Sequence, residues 1–182
     1  MPGERFYYNN RGRALIFGTM GTRPIEKGVK ILASHIDSPR LDLKPNPVFE
    51  KDGIAQLKTH YYGGVRKYQW VARELALHGD IYKKDGSVVH VNIGEDENDP
   101  ILYISDLLPH LAKDQNARTL KDGIKGEEMN VWVGTLKFRD DKVSEKVKLN
   151  VLNILFEKYG ITESDFFSAE LTLVPAAQAR DI

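Results

Sequence analysis

The sequence contains no cysteine. Disulfides, thiolate metal sites and a cysteine nucleophile are therefore excluded, and any metal must be held by His, Asp or Glu. There is no charge excess either, because 26 Lys plus Arg balance 26 Asp plus Glu. With no positive field to hold a polyanion, neither nucleic acid nor an anionic membrane is an expected partner. No apolar run approaches the roughly 20 residues that cross a bilayer. The opening Met1-Pro2-Gly3-Glu4 lacks the basic, apolar and small-residue succession of a secretion signal. A soluble, cytoplasmic protein is the expectation.

The chain has 182 residues, 41% of them hydrophobic, enough for one good core or two small ones packed together. Arg5 to Asn9 and Ala14 to Met20 are rich in aromatic and β-favouring residues, and the Asn9-Asn10-Arg11-Gly12 turn between them predicts a hairpin. Val29 to Ser34 is a short apolar run bounded by Gly28 and a loop from His35 to Pro39, which reads as a strand buried on both faces. From Leu41 the chain takes an extended course through Pro45 and Pro47 to a polar turn at Glu50-Lys51-Asp52-Gly53, and a domain boundary is expected near Pro47.

Beyond it, Ile54 to Tyr62, Ala76 to Tyr82 and Val88 to Ile93 alternate as strands, the last two joined across Lys84-Asp85-Gly86. A mainly antiparallel sheet is expected there. Gly94 to Pro100 and the Gly-punctuated Gln115 to Glu128 read as loops. Val143 to Tyr159 places Val147, Val151, Leu152, Ile154 and Leu155 at helical spacing, with Gly160 as the stop. Ala169 to Val174 is β-like and ends at Pro175, and the following Ala176 to Ile182 has no stop signal, which reads as a chain cut rather than finished. There is no internal repeat at a solenoid period and no low-complexity tract.

The sharpest chemical feature is Ser34-His35-Ile36-Asp37-Ser38-Pro39, a His-x-Asp after an apolar run. An imidazole at the end of a rigid strand can ligate zinc, and a nearby carboxylate can take the other ring N–H, fixing the tautomer. On spacing alone the signal is weak, and the cap of a strand and a turn is the preferred reading. Pro39 stiffens the loop by fixing its own φ and restricting Ser38.

The stretch from Gly28 through Pro47, GVKILASHIDSPRLDLKPNP, closely resembles the first metal-site segment of the M18 aspartyl-aminopeptidase family of metallo-aminopeptidases. The resemblance continues at Tyr61 to Trp70 (YYGGVRKYQW), at Arg73 to Gly79 (RELALHG) and at Ala169 to Ala176 (AELTLVPA), so it spans nearly the whole chain. It implies an α/β fold: a partial zinc-peptidase-like catalytic segment over residues 1–47, an inserted, mainly antiparallel β domain with one long helix over 48–175 that the family uses for dimerisation, and a return toward the catalytic domain over 176–182. By the same resemblance His35 is a metal ligand and Asp37 the carboxylate that orients or polarises the site. The implied reaction is hydrolytic release of the N-terminal residue from peptides with a free N-terminus. It uses two zinc ions, with cobalt or manganese as substitutes, roughly 3.5 to 4 Å apart. The remaining family ligands would follow a segment like Ala179-Arg180-Asp181, so this chain alone is expected to be inactive. Homo-oligomers, dimers or larger, are also implied.

One departure concerns specificity. Eukaryotic members typically carry a histidine and an Asp-Arg pair where this sequence has Tyr68 and Ala72-Arg73, so the preference for acidic residues is not carried over and the bacterial branch is the closer likeness. The rival reading from another class is a non-catalytic oligomerisation or regulatory module. His60, His78 and His90 are expected as half-buried strand residues. For His110 an approach to a neighbouring subunit's site, which the family's inserted domain allows, is the less favoured reading. Gly63-Gly64 lacks the Lys and Ser/Thr of a P-loop and reads as a tight turn. Trp70 and Trp132, with Tyr61, Tyr62 and Tyr68, fit an interface cluster or plain core packing. Glu95 to Asp99 lacks EF-hand spacing and reads as a solvated charged turn.

Overall fold

The computed structural model describes residues 1–139, 142–177 and 180–181, which divide into two compact units, residues 1–37 and residues 38–182. In the first, β1 (Arg5–Asn10) and β2 (Ala14–Thr19) form the expected hairpin, in register from Arg5 opposite Thr19 to Asn10 opposite Ala14. Its turn is closed by Asn9, whose Oδ1 accepts from the Gly12 backbone N–H at 2.8 Å.

Residues 28–39 form neither helix nor strand. The buried strand expected over Val29 to Ser34 is thus not formed, and Leu32 is fully exposed (102%). A strand buried on both faces needs neighbours on its edges and layers above and below it. Among the described residues, none pairs with this run.

The second unit is an antiparallel sheet that closes on itself. Its strands are β3 (Arg40–Lys51), β4 (Ile54–Tyr62), β5 (Glu74–Tyr82), β6 (Val88–Ile93), β7 (Leu102–Tyr103), β8 (Val131–Gly134) and β9 (Ala169–Pro175). They are ordered β6-β5-β7-β8-β4-β3-β9, and β9 also pairs with β5, sealing a barrel-like sheet. Strand β5 holds β9 on one edge while β6 and β7 share the other.

Strand β3 was expected only as an extended exit, because its prolines read as breakers. They sit where the β3–β4 register shifts, between Leu43 and Val48, at an irregularity that tolerates a residue without an N–H. Pro47, the expected boundary position, is fully buried inside this strand. Asp52 and Gly53, both with positive φ, make a two-residue turn into β4.

The core is built from inward-facing residues of these strands, among them Leu41, Leu57, Leu75, Ile81, Val131 and Leu173. In β4 the alternation is plain: Ala55, Leu57 and Thr59 are buried, while Lys58 and His60 are exposed. Thr59, the one buried polar residue among the described residues, donates its hydroxyl to the Met129 carbonyl, so the interior is not left with an unpaired polar atom there.

A one-turn helix, α1 (Lys113–Asn116), precedes the long helix α2 (Lys146–Tyr159). The latter starts three residues later than the apolar spacing predicts. The Glu50 carboxylate on β3 accepts from the backbone N–H groups of Val147 (2.9 Å) and Lys148 (3.1 Å), fixing its N-terminus from 97 residues away. Val147 is buried, whereas Ile154, also placed on the apolar face by spacing, is exposed. Gly160 is the left-handed C-cap, its N–H donating to the Phe156 carbonyl at 2.7 Å. No helix among the described residues is long and apolar enough to cross a membrane.

Three substitutions test this construction. A Cβ on Gly79 of β5 would lie 1.9 Å from the Glu170 carbonyl oxygen on β9. Gly79→Ala is therefore expected to lower the stability read from urea unfolding by about 3 kcal/mol or more. Gly86→Ala, where a Cβ meets nothing within 4 Å, carries only the backbone penalty of about 1 kcal/mol. Glu50→Ala is expected to cost about 1–2 kcal/mol and to lower α2 helicity by circular dichroism.

Candidate metal ligand and titrating side chains

His35 lies in the unpaired stretch of residues 28–39, and its ring is held locally. Nδ1 lies 3.2 Å from the Asp37 carbonyl oxygen. Since a carbonyl only accepts, Nδ1 is the donor in this contact, and the neutral ring then presents its lone pair at Nε2, the form in which histidine binds metal. The sequence placed the Asp37 carboxylate in the orienting role; the structure gives the contact to the Asp37 main chain.

Zinc held by nitrogen and oxygen donors takes three or four protein ligands. Among the described residues no group of three or more His, Asp or Glu side chains is arranged to hold a metal. The residues present thus fit one ligand of a zinc shell and not the shell. No chemical step through a metal follows from this arrangement.

The other histidines are distributed over the barrel. His60 is exposed on β4 and stacks on Tyr61, with ring centroids 5.4 Å apart. His78, the half-buried one, reaches Glu95 at 3.2 Å. His90 is exposed rather than half-buried, and its Nδ1 lies 2.6 Å from the carboxylate of Asp80, its cross-strand partner. His110 is exposed in the segment between β7 and α1.

Trp70 is buried in the core cluster, and Trp132 on β8 is half-buried, while Tyr61, Tyr62 and Tyr68 are exposed. Gly63 turns the chain out of β4 with a positive φ, as the tight-turn reading expects. Two groupings were missed. On the outer face of β3 and β4 the Arg40 guanidinium lies 3.8 Å from the Tyr62 ring and pairs with Asp42 at 2.7 Å, a ladder that the alternation Arg40, Asp42, Lys44 would have signalled. A cavity bordered by Asp106, Gln115, Arg118 and Glu128 gathers residues scattered over a stretch read as loop, with no spacing to announce it.

Against known proteins, all 182 residues match the family model described as aminopeptidase I zinc metalloprotease (M18). The chain belongs to the M18 aminopeptidase family. It is 52% identical over 179 residues to a probable M18 family aminopeptidase 1 of Clostridium acetobutylicum, covering 98% of this chain and 38% of that one. With the corresponding protein of Thermotoga maritima it shares 43% over 176 residues, covering 97% of this chain and 38% of the other. The crystal structure of aminopeptidase I from Clostridium acetobutylicum superposes with a TM-score of 0.91 at 49% identity, over 100% of this chain and 40% of that one. The M18 aminopeptidase crystal structure from Thermotoga maritima gives 0.90 at 43%, over 97% and 38%. The chain therefore spans about two fifths of the length of these M18 relatives.

In this M18 chain the acidic loop after β6 is tied down rather than simply solvated. Asp99 accepts from the Gly94 backbone N–H at 2.8 Å and from Lys158 of α2 at 3.3 Å, and its side chain is only 10% exposed. The Gly94 N–H is the main cause that holds its carboxyl below the ordinary value, and Lys158 adds to it. Because the folded value is depressed, the stabilisation is complete above the unfolded value of about 3.9 and disappears as pH falls through the folded one. Asp99→Asn is expected to lower Tm by about 2–4 °C at pH 7. The gap should close in melting curves recorded below about pH 4.

Proposed function

We propose that this chain is the front part of a metal-dependent aminopeptidase that releases N-terminal amino acids from peptides with a free N-terminus. In this reading His35 is a zinc ligand and Asp37 its orienting or polarising partner. What supports it is the match of residues 1–182 to a zinc metalloprotease family together with the His35 ring, whose Nδ1 donates to Asp37 and leaves Nε2 for a metal. The family's two-metal centre, zinc or in its place cobalt or manganese, would supply Lewis-acid chemistry, and among the described residues His35 would hold one of the metals.

Residues 1–47 are assigned to the catalytic domain, 48–175 to the inserted dimerisation domain and 176–182 to the return. Strand β3 then runs across the first junction, and Gln178, Ala179 and Ile182 of the return lie outside the described residues. Homo-oligomers and a cytoplasmic location go with this reading. A second reading applies to the 182 residues by themselves, a non-catalytic oligomerisation module. It is favoured by one observation: among the described residues His35 is not joined by two further ligands.

Hydrolysis of aminoacyl nitroanilides with added zinc, cobalt or manganese separates the two. The 182-residue chain is expected to give no turnover above its His35→Ala control; turnover that vanishes in the control would overturn the module reading. In the Clostridium relative, of which this chain spans 38%, alanine at the histidine matching His35 is expected to lower kcat/KM by more than about 100-fold. Full activity there would remove His35 from the metal shell.

A further inference from the structure

The segment between β7 and β8, residues 104–130, folds over a cavity of about 240 Å³. Its walls are partly apolar, from Val71, Leu107 and Ile124, and partly charged, from Asp106, Arg118 and Glu128. Gln115 also lines it and carries the one buried side-chain polar atom that lacks a hydrogen-bond partner among the described residues, Oε1. An amide flip does not resolve this, because Gln115 Nε2 already donates to Asp106 Oδ1 at 3.0 Å. A buried acceptor without a donor is destabilising, so a donor supplied from the cavity would be stabilising.

The charges point to what kind of donor. Asp106 accepts only from neutral groups, the Leu107 backbone N–H at 2.8 Å and Gln115, and no ion pair to it is found among the described residues. Glu128 accepts from the Lys125 backbone N–H at 3.2 Å and lies 3.5 Å from Arg118 and 3.9 Å from Lys125 Nζ, and Arg118 Nη1 also donates to the Gly123 carbonyl at 3.3 Å. Asp106 is therefore the lining carboxylate with no cation beside it among the described residues, and Gln115 Oε1 the acceptor with no donor. A primary ammonium brings one positive charge and three N–H donors, matching the three acceptor groups Asp106, Gln115 and Glu128. The guanidinium has five donors, enough to take a carboxylate beside its present partners.

We propose that this cavity binds a free α-amino acid with an apolar side chain, its ammonium on Asp106, Gln115 and Glu128 and its carboxylate on Arg118. The volume is below the roughly 300 Å³ at which drug-sized pockets begin, which suits a single residue rather than a peptide. The three apolar walls take the side chain. Nothing in this inference depends on His35 or on catalysis, so it stands or falls separately from the aminopeptidase reading.

The test is an amide NMR titration of the 182-residue protein with L-leucine, leucinamide and 4-methylpentanoate. Leucine is expected to shift the amides of residues 104–128 with millimolar affinity. Leucinamide, lacking the carboxylate, should bind several-fold more weakly, and 4-methylpentanoate, lacking the ammonium, should shift nothing there. Asp106→Asn keeps an Oδ1 acceptor for Leu107 and Gln115 but loses the charge, and is expected to weaken leucine binding at least about tenfold. Gln115→Met removes the unpaired acceptor at similar volume, so it should also weaken binding while leaving Tm unchanged or raised. No shift in 104–128 at about 10 mM leucine, or unchanged affinity in Asp106→Asn, overturns the proposal and leaves a cavity filled by water.

Discussion

The pairing of β5 with β9 is the constraint on which the rest of the second unit depends. It runs without a break from Leu75 opposite Pro175 to Ile81 opposite Ala169. Without it, β5 and β9 would each present a row of unsatisfied N–H and C=O groups, and the sheet would be open rather than closed. Strand β9 also pairs with β3 through Leu41–Leu173 and Asp42–Thr172. One late strand thus joins the first and middle parts of the unit, and Leu173 lies opposite both Leu41 and Leu77 in their respective registers. Such non-local pairing makes closure a slow, late event, because most of the chain must be ordered before it is rewarded. Gly79 is where the requirement is most exacting, since the β9 backbone comes too close there for any side chain.

A second dependence runs from the β3 irregularity to the long helix. The register shift between Leu43 and Val48 accommodates Pro45 and Pro47 and resets which residues face inward. After it Val48 is buried and Glu50 is positioned to accept from Val147 and Lys148. A strand residue therefore does what a local Ser or Asp does at most helix starts. The same helix contributes Lys158 to Asp99 and the Tyr159 hydroxyl to the Asn92 carbonyl, so the loop after β6 is held by the far end of an element that Glu50 anchors at its near end.

Elements whose stabilising partners lie close in sequence were legible. The β1–β2 hairpin, β4 and β6 and the end of α2 at Gly160 follow from alternation, turn residues and a left-handed cap, all local signals. Strand β3 was hidden because a proline reads as a breaker unless the bulge that receives it is known. The two-residue β7 and the four-residue β8 are too short to carry a period, and exist because β5 and β4 offer them edges. The candidate ligand His35 was legible through its surrounding text and not through its spacing, and the cavity at Asp106 and Gln115 was not legible at all, because only folding brings those residues together.

Val29 to Ser34 shows the limit of such signals from the other side. Its composition is that of an interior strand, yet Val29, Ile31 and Leu32 are all more than half exposed. Hydrophobicity supplies a motive for burial and no partner; the partner has to be somewhere in the structure. His35 inherits that condition. A metal ligand must be held within roughly 0.5 Å of its productive position, which needs a rigid element beneath it and hydrogen bonds around it. The bond from Nδ1 to Asp37 orients the ring, but residues 28–39 supply no paired strand to carry it. The barrel, by contrast, closes its sheet and packs its core among the described residues of 38–182. The chemical role proposed for His35 requires rigidity and further ligands that the described residues do not bring to it.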